Sequence, residues 1–304
     1  MQTTGMFTVH RFEIPFKHYN KDVIKLVPFG DVHRWAPLHA EKIWHKFLGR
    51  YRNDKNAYFI GMGDYMDELS RSERKAYINS DYHDSTIQNN NKFYSERAVN
   101  FSKEIAFMKE RLIGLCEGNH YVELYEGGTT TNLMCRELDT KYLGVKCFIE
   151  IILRPDKHHA HRVVVCCHHG ENGGRRASTS TSKLENMAHT HNADIILQGH
   201  DHRKNHIEVT EIGITHAQTG KPNVLQRVKY CARTGGFLKG YIDHYQSYIA
   251  DANLPPNSLG NVEFHLIPKM QRTRVPEKSS GKFGKQSETR WVNIEFHSCN
   301  YEEH

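Results

Sequence analysis

Five short motifs of Asp, Asn and His are spread over the first two-thirds of the sequence, and each follows a short apolar run. They are Asp31-Val32-His33, Gly63-Asp64-Tyr65-Met66-Asp67, Gly118-Asn119-His120, His168-His169-Gly170 and Gly199-His200-Asp201-His202. Carboxylate, amide and imidazole groups form a mixed oxygen and nitrogen ligand set, which suits Mn²⁺, Fe or Zn²⁺ better than Ca²⁺. These donors outnumber the ligands of one tetrahedral ion. They therefore predict two ions ~3.5–4 Å apart that share a carboxylate.

The apolar runs before these motifs alternate with helical patterns, which indicates βαβ units and a largely parallel sheet in an α/β fold. In such a sheet the ligand crevice lies beyond the carboxyl ends of the strands, so the five motifs are expected to converge there. Strands are predicted at 23–29, 57–60, 112–116 and 194–197, with helices at 37–50, 96–110 and 182–189. A β-hairpin is predicted from 145–153 and 162–167, and further short strands from 207–209, 228–233, 262–267 and 291–296.

Two polar stretches interrupt this pattern within what we interpret as a single domain over 1–304. Residues 65–95 are irregular in pattern and predict a cap insertion beside the site, whose aromatic side chains could stack bases or fix the cap to the core. Residues 269–290 are basic and have neither a helical nor a strand period. They predict a loop or an insertion, which either is simply solvated or follows a nucleic-acid backbone.

In their order, the five motifs resemble those of the calcineurin-like metallophosphoesterases: DxH, GDxxD, GNH, a lone His and GHxH. Any one triplet arises easily by chance, whereas five in order after strand-like runs are a specific signal. The resemblance covers roughly two-thirds of the chain and implies the four-layer fold of that family. In that fold two mixed β-sheets pack together and are flanked by helices, with the site at the carboxyl ends of the strands.

The resemblance also implies a role for each matching residue. Asp31, His33 and His202 would hold the first metal, Asn119, His169 and His200 the second, and Asp64 would bridge the two. His168 competes with His169 for the lone-His role, and His169 is preferred because it precedes Gly170. His120 would act near the leaving group, as a general acid or by stabilising charge. The implied cofactors are two divalent transition-metal ions, Mn²⁺ before Fe, Zn or Ni.

Three further positions are candidates beside the ions. Asp67 is expected to orient a ligand from behind rather than to bind metal. Arg175 and Arg176, in the Gly-rich segment after the His pair, either present guanidinium groups to a phosphate or are ordinary solvated side chains.

The sequence departs from the family's Ser/Thr protein phosphatases at two places. Glu68-Leu69 stands where those enzymes carry Arg-Gly, and Tyr121 where they carry Glu. Without the arginine that clamps a phosphomonoester, a phosphodiesterase is favoured, with attack by a metal-bridging hydroxide. Its substrate is predicted to be a nucleic acid, which would make the chain a nuclease, or a nucleotide. The alternatives are a phosphomonoesterase acting on a protein or nucleotide, and a scaffold of the same fold that has lost catalysis.

Composition limits the remaining classes. Forty-one Lys and Arg against 35 Asp and Glu give a net charge of +6, which favours a phosphate-bearing partner such as DNA or RNA only mildly over 304 residues. No apolar run reaches the ~18 residues of a membrane span, and the N-terminus has no signal-peptide pattern. The seven cysteines are an odd number, and Cys166 and Cys167 are adjacent, so a reducing, cytoplasmic compartment is expected. The oligomeric state is left open.

Overall fold

The computed structural model describes residues 8–171, 176–216, 222–251, 253–276 and 283–301. Its strands are β1 Thr8–Pro15, β2 Ile24–Phe29, β3 Ala57–Gly61, β4 Leu112–Cys116, β5 Tyr142–Gly144, β6 Lys146–Arg154, β7 His161–His168, β8 Ile195–Gln198, β9 Lys204–His216, β10 Pro222–Gly236, β11 Gly260–Pro276 and β12 Phe283–Asn300. Its α-helices are α1 Glu41–Arg52, α2 Arg71–Ile78, α3 Asp84–Glu104, α4 Thr130–Leu138, α5 Ala177–Thr190 and α6 Tyr248–Asp251, and a 3-10 helix covers Ala106–Arg111.

Within the described residues, the strands form one mixed 12-stranded sheet in the order β1-β6-β7-β8-β10-β11-β2-β3-β4-β5, with β9 on β10 and β12 on β11. The sheet has two halves, and two residue pairs of the described strands connect them, Gly235 with Asn261 and Gly236 with Gly260. The neighbours β2, β3 and β4 are parallel, as are β7, β8 and β10. Parallel neighbours end at the same edge of the sheet, so the motifs that follow them are brought together.

In the described part of the chain, these elements pack together through three hydrophobic clusters. One contains side chains from both halves of the sheet, such as Ile60 and Ile149. A second joins the β2–β4 region to α1, α3 and α4, and a third packs α5 on β7, β8 and β10. Helix α1 illustrates the cause, because its buried side chains Ile43, Trp44, Phe47, Leu48 and Tyr51 recur at helical spacing and form one apolar face.

The structure confirms the mixed α/β class and the expected strands before the motifs. The 145–153 and 162–167 prediction is also confirmed, since β6 and β7 pair antiparallel. Some boundaries move: the first helix begins at Glu41 rather than 37, and the helix predicted over 96–110 is the end of α3 followed by the 3-10 helix. The strand β1 was not foreseen, and its edge position beside β6 explains its weak apolar pattern.

The structure contradicts the lack of regular structure expected of the two polar stretches, while their interpretation as insertions stays a prediction. Residues 65–95 are not irregular, because they contain α2 and the first half of α3. Both helices are polar and lack the apolar period that predicts a helix from sequence. Ser70 with Glu73 caps the start of α2, and His83 caps the start of α3. Residues 269–290 are not a loop, because their described parts belong to a long β11–β12 hairpin that continues from Lys269 opposite Trp291 to Pro276 opposite Phe283. Pairs of polar residues that face each other across the two strands stabilise this hairpin.

Among the described helices, none combines the length and the apolar character needed to cross a membrane.

Candidate metal centre

The five motifs meet at the carboxyl ends of the strands, close to the junction of the two halves of the sheet. Three groups of ligand-bearing side chains form there, each with its ligand atoms within 4.8 Å of one another, and one of them, made of His33, Asp67 and His120, shares His33 with the first of the other two. Of these two, the first group is Asp31, His33 and His202, and the second is Asp64, His169 and His200. Residues that come from β2, β3, β7 and β8 are thus side by side, which the topology explains and no local pattern could.

The first group contains buried polar atoms that lack partners. Oδ2 of Asp31 accepts the backbone N–H of His200 at 2.9 Å, and its Oδ1 lies 3.6 Å from Nε2 of His202. Among the described residues, neither Oδ1 of Asp31 nor Nε2 of His33 has a hydrogen-bond partner, although both atoms are buried. A buried carboxylate oxygen without a donor is costly, and a cation between these atoms removes that cost.

The second group places several lone pairs at one point. Nδ1 of His169 donates to the carbonyl oxygen of Met62 at 2.7 Å, which leaves Nε2 as the ring's lone pair. That Nε2 lies 2.9 Å from Oδ1 of Asn119, 3.2 Å from Oδ2 of Asp64 and 3.3 Å from Nδ1 of His200. Electron-rich atoms converge in this way where a metal ion is bound, with the far ring nitrogen fixed by a carbonyl.

Asp64 faces both groups. Its Oδ1 accepts the backbone N–H groups of Asn119 and His120, each at 2.8 Å. Its Oδ2 points the other way and lies 3.2 Å from Nε2 of His169 and 3.8 Å from Nε2 of His33. The backbone therefore holds one oxygen, and the second is available between the two groups of imidazoles.

The backbone at these positions is strained. Asp31, His33, Asp64, His200 and His202 all have positive φ, between 45° and 73°. Non-glycine residues rarely adopt this left-handed region, and each costs about 1 kcal/mol or more. Five such residues in one cluster persist because surrounding structure fixes them, a pattern typical of functional sites.

Two motif glycines are required by close approach. A Cβ on Gly118 would lie 2.0 Å from Oδ1 of Asp64, and a Cβ on Gly63 would lie 2.6 Å from Nδ1 of His169. Gly63 also has a φ of 99°, a conformation that L side chains rarely adopt. Both glycines thus let one motif contact the side chain of another.

The pKa values of the site's side chains are shifted, because burial disfavours the charged form of each group. Burial raises the pKa of Asp31 to about 7. Burial also lowers the pKa of His200 to about 4, with help from His169. For His169 burial acts in the same direction, but the Asp64 carboxylate outweighs it and raises the pKa to about 9. Divalent ions would supply the positive charge that these carboxylates otherwise take from imidazolium.

His120 and Asp67 flank the first group. Nδ1 of His120 donates to the carbonyl oxygen of Glu68 at 2.9 Å, and its ring meets that of His33 edge-on with centroids 4.9 Å apart. An oxygen of Asp67 lies 3.8 Å from Nδ1 of His33, behind the ring atom that faces Asp64. Both residues therefore lie next to the first group. The hydrogen bond to Glu68 uses Nδ1 of His120 and does not involve its Nε2.

The remaining predicted site residues lie away from these groups or are not among the described residues. Within the described part of the chain, His168 joins neither group, because alternation along β7 turns it away from its neighbour His169. Arg176 is exposed just before α5, where its carbonyl accepts a hydrogen bond from Arg203. Arg175 lies outside the described residues.

Three residues of the site's surroundings were given no role in the site from the sequence. Arg74 of α2 donates to the carbonyl oxygens of Leu69, Asn119 and Tyr121, and its guanidinium lies 3.7 Å from the centre of the Tyr121 ring. Buried Arg233 donates to the carbonyl oxygen of Gly199. Buried Glu68 accepts from Thr130. No motif marks these residues, because their partners are backbone carbonyls or residues far along the chain.

A cavity of about 270 Å³ lies beside the His120 segment, between α2, α3 and the 122–125 loop. Its lining includes Tyr77, Tyr94 and Tyr125 together with the amides of Asn90 and Asn91. The other aromatic residues of the predicted cap differ, since Tyr65 is buried and donates to the carbonyl of Cys116, while Tyr82 and Phe93 are exposed.

Comparison with known proteins gives distant structural likeness only. No family model and no curated protein matches the chain. Among solved structures, Vps29 of Chaetomium thermophilum is similar at 9% identity and a TM-score of 0.34, over 88% of this chain and 98% of that one. The same Vps29 complexed with the RaPID-derived cyclic peptide RT-D3 is similar at 8% identity and a TM-score of 0.31, over 90% and 96%. At these scores the likeness decides neither family nor activity.

Proposed function

We propose that this chain is a metal-dependent phosphodiesterase of the calcineurin-like metallophosphoesterase type, with the four-layer fold of that family. The observation that carries the proposal is the position of Asp64, whose free oxygen faces His169 on one side and His33 on the other. In this assignment Asp31, His33 and His202 hold one divalent ion, Asn119, His169 and His200 hold the other, and Asp64 contacts both.

Two bound divalent ions would supply Lewis acidity and lower the pKa of water to near neutrality. The chain's own residues set the rest of the chemistry. Hydrogen bonds from the 119–120 backbone fix Asp64, and the Met62 carbonyl fixes His169, so the ligand atoms need little reorganisation. Arg74 holds the carbonyls of Asn119 and Tyr121 and so keeps this segment in place.

His120 is assigned to the leaving group. Its Nδ1 proton is held by the Glu68 carbonyl, so the ring can add or give a proton only at Nε2. A proton given from Nε2 to the departing oxygen turns an alkoxide into an alcohol, a step that contributes typically ~10²–10⁴-fold to a rate.

The cavity beside this segment supports a diester with a flat, partly polar leaving group such as a nucleotide. Three tyrosines line it, and a base can stack on such rings. Two asparagines also line it, where Nδ2 of Asn90 donates to the Tyr77 hydroxyl and Oδ1 of Asn91 accepts the backbone N–H of Tyr125. The cavity reaches Leu69 and Arg74, both of which adjoin the His120 segment. This arrangement favours a nucleic acid or nucleotide over a protein phosphate.

The test is a rate comparison in the presence of Mn²⁺. Bis-p-nitrophenyl phosphate, p-nitrophenyl phosphate, single-stranded DNA, duplex DNA, RNA and cyclic nucleotides are assayed, with Asp64→Ala as the blank. We expect the diesters to be hydrolysed faster than the monoester. A strong monoester preference would favour the phosphomonoesterase alternative. A chain that retains no transition metal and hydrolyses nothing would favour the non-catalytic scaffold.

A further inference from the structure

A second cluster of His and Glu side chains lies on the β11–β12 hairpin. In the register of this hairpin, His265 stands opposite Glu295, and Glu263 stands opposite His297. Residues directly opposite and residues two apart share one face of a sheet, so all four side chains lie together. Their neighbours Phe264 and Phe296 point to the other face, where their rings pack 5.6 Å apart.

The cluster brings its ligand atoms close enough for one ion. Those of His265, Glu295 and His297 all lie within 4.8 Å of one another. The two imidazole rings are only 3.9 Å apart between centroids, and Nε2 of His297 is buried without a hydrogen-bond partner among the described residues. Two imidazoles at this distance can both direct a lone pair to one shared cation.

The surroundings are suited to positive charge. Glu263 accepts from Tyr51 at 2.6 Å, lies 3.3 Å from Arg50, and has an oxygen 3.0 Å from Nε2 of His265. Glu295 accepts from the amide of Asn293 at 2.9 Å. Lys25, opposite His265 on β2, is neutralised by Asp54 at 2.7 Å. The two glutamates carry two negative charges and Arg50 carries one positive charge, so the cluster has a net negative charge.

We propose that His265, Glu295 and His297 form a separate binding site for one divalent transition-metal ion of the zinc type, with Glu263 orienting His265. Two imidazoles and a carboxylate are a ligand set that Zn²⁺ accepts, with the fourth position left to water. The site is distinct from the motif centre. His265 pairs with Lys25 at the start of β2, and Asp31 follows the other end of that strand ~20 Å away.

The test measures the number of zinc ions bound per chain, and hydrolysis of a diester is the control that the motif centre is intact. The full-length chain is stripped with chelator, loaded with excess Zn²⁺, desalted and measured for zinc per chain. We expect His265→Gln/His297→Gln to bind one ion fewer than wild type and to retain its hydrolysis of bis-p-nitrophenyl phosphate. The matched control His158→Gln/His159→Gln, in the turn before β7, should lose no ion.

The stoichiometry also separates this site from the motif centre. Asp64→Ala should lose ions of the motif centre and keep the hairpin ion, so each site can fail alone. If the double variant misfolds, His297→Gln alone is used, with the Zn²⁺-induced rise in melting temperature as the readout. A zinc content equal to that of wild type in the folded double variant, or an unchanged Zn²⁺-induced rise in His297→Gln, would overturn the proposal.

Discussion

Nε2 of His169 lies 3.2 Å from Oδ2 of Asp64, and both side chains are almost wholly buried. The opposite ring nitrogen is already used, because it donates to the carbonyl of Met62. A lone pair and a carboxylate oxygen thus face each other out of contact with water. This relationship is stable only with a proton or a cation between the two atoms, and it is the basis of the first prediction.

The adjacent histidines offer a matched pair of variants. His169→Ala should lower metal content and reduce Mn²⁺-dependent turnover more than ~100-fold, since removing even an outer partner of a ligand costs ~10–100-fold. His168→Ala, one residue away and outside both groups, should retain metal and turnover. Metal analysis and kcat on a diester are measured for both. The reverse result would return the ligand role to His168.

His120→Ala should keep both ions and lose rate in a way that depends on the leaving group. For a diester with a poor alkoxide leaving group we expect a loss of ~10²–10⁴-fold, because no proton reaches the departing oxygen. For bis-p-nitrophenyl phosphate, whose leaving group needs no proton, the loss should be much smaller. Equal losses on both substrates would remove the general-acid assignment.

Gly118→Ala should disturb the centre without unfolding the chain. The added Cβ would lie 2.0 Å from Oδ1 and 2.3 Å from the backbone nitrogen of Asp64, so the carboxylate and its own backbone must both move away from residue 118. We expect metal affinity to fall by ~10-fold or more. The control is Gly49→Ala in α1, where a Cβ meets nothing within 4 Å and should stabilise the helix by ~0.5–1 kcal/mol. Wild-type metal affinity in Gly118→Ala would contradict this account of the motif.

Glu68 predicts a pH dependence of stability. Burial raises the pKa of this carboxyl group from 4.5 to about 8. Between these values the folded state binds a proton that the unfolded state has released, so the free energy of unfolding falls as pH rises, by roughly 3–5 kcal/mol in total.

Glu68→Gln should remove this part of the slope, because the amide stays neutral and can still accept from Thr130. Urea unfolding of the chelated protein from pH 5 to pH 9 measures the difference. Parallel stability curves for the variant and wild type would rule out a raised pKa at Glu68.

Tyr94 predicts a specificity effect. It lines the cavity beside the His120 segment, and loss of base stacking costs ~1–3 kcal/mol per base. Tyr94→Ala should therefore raise KM for a dinucleotide about 5- to 100-fold and leave kcat nearly unchanged. Tyr245→Ala, an exposed tyrosine that does not line that cavity, is the control. An unaltered KM in Tyr94→Ala would place the base elsewhere.

Local sequence determined much of the sheet and the candidate ligands. The apolar runs before Asp31, Asp64 and Asn119 are β2, β3 and β4, since a short buried strand needs only a continuous apolar stretch between polar turns. The motif order named the side chains that the structure brings together, because each candidate ligand stands shortly after the end of a strand.

Other features could be decided only by the tertiary structure. Whether His168 or His169 faces the centre depends on the pleat of β7 against its neighbours, and a one-residue change of phase would reverse it. Arg74, Arg233 and Glu68 act through backbone carbonyls and a distant hydroxyl, which carry no sequence signal. The β11–β12 ribbon is polar, so only cross-strand register reveals it as paired strands and places His265 beside His297. Short-range pattern sets each strand and turn, whereas contacts between distant segments depend on packing that no local window contains.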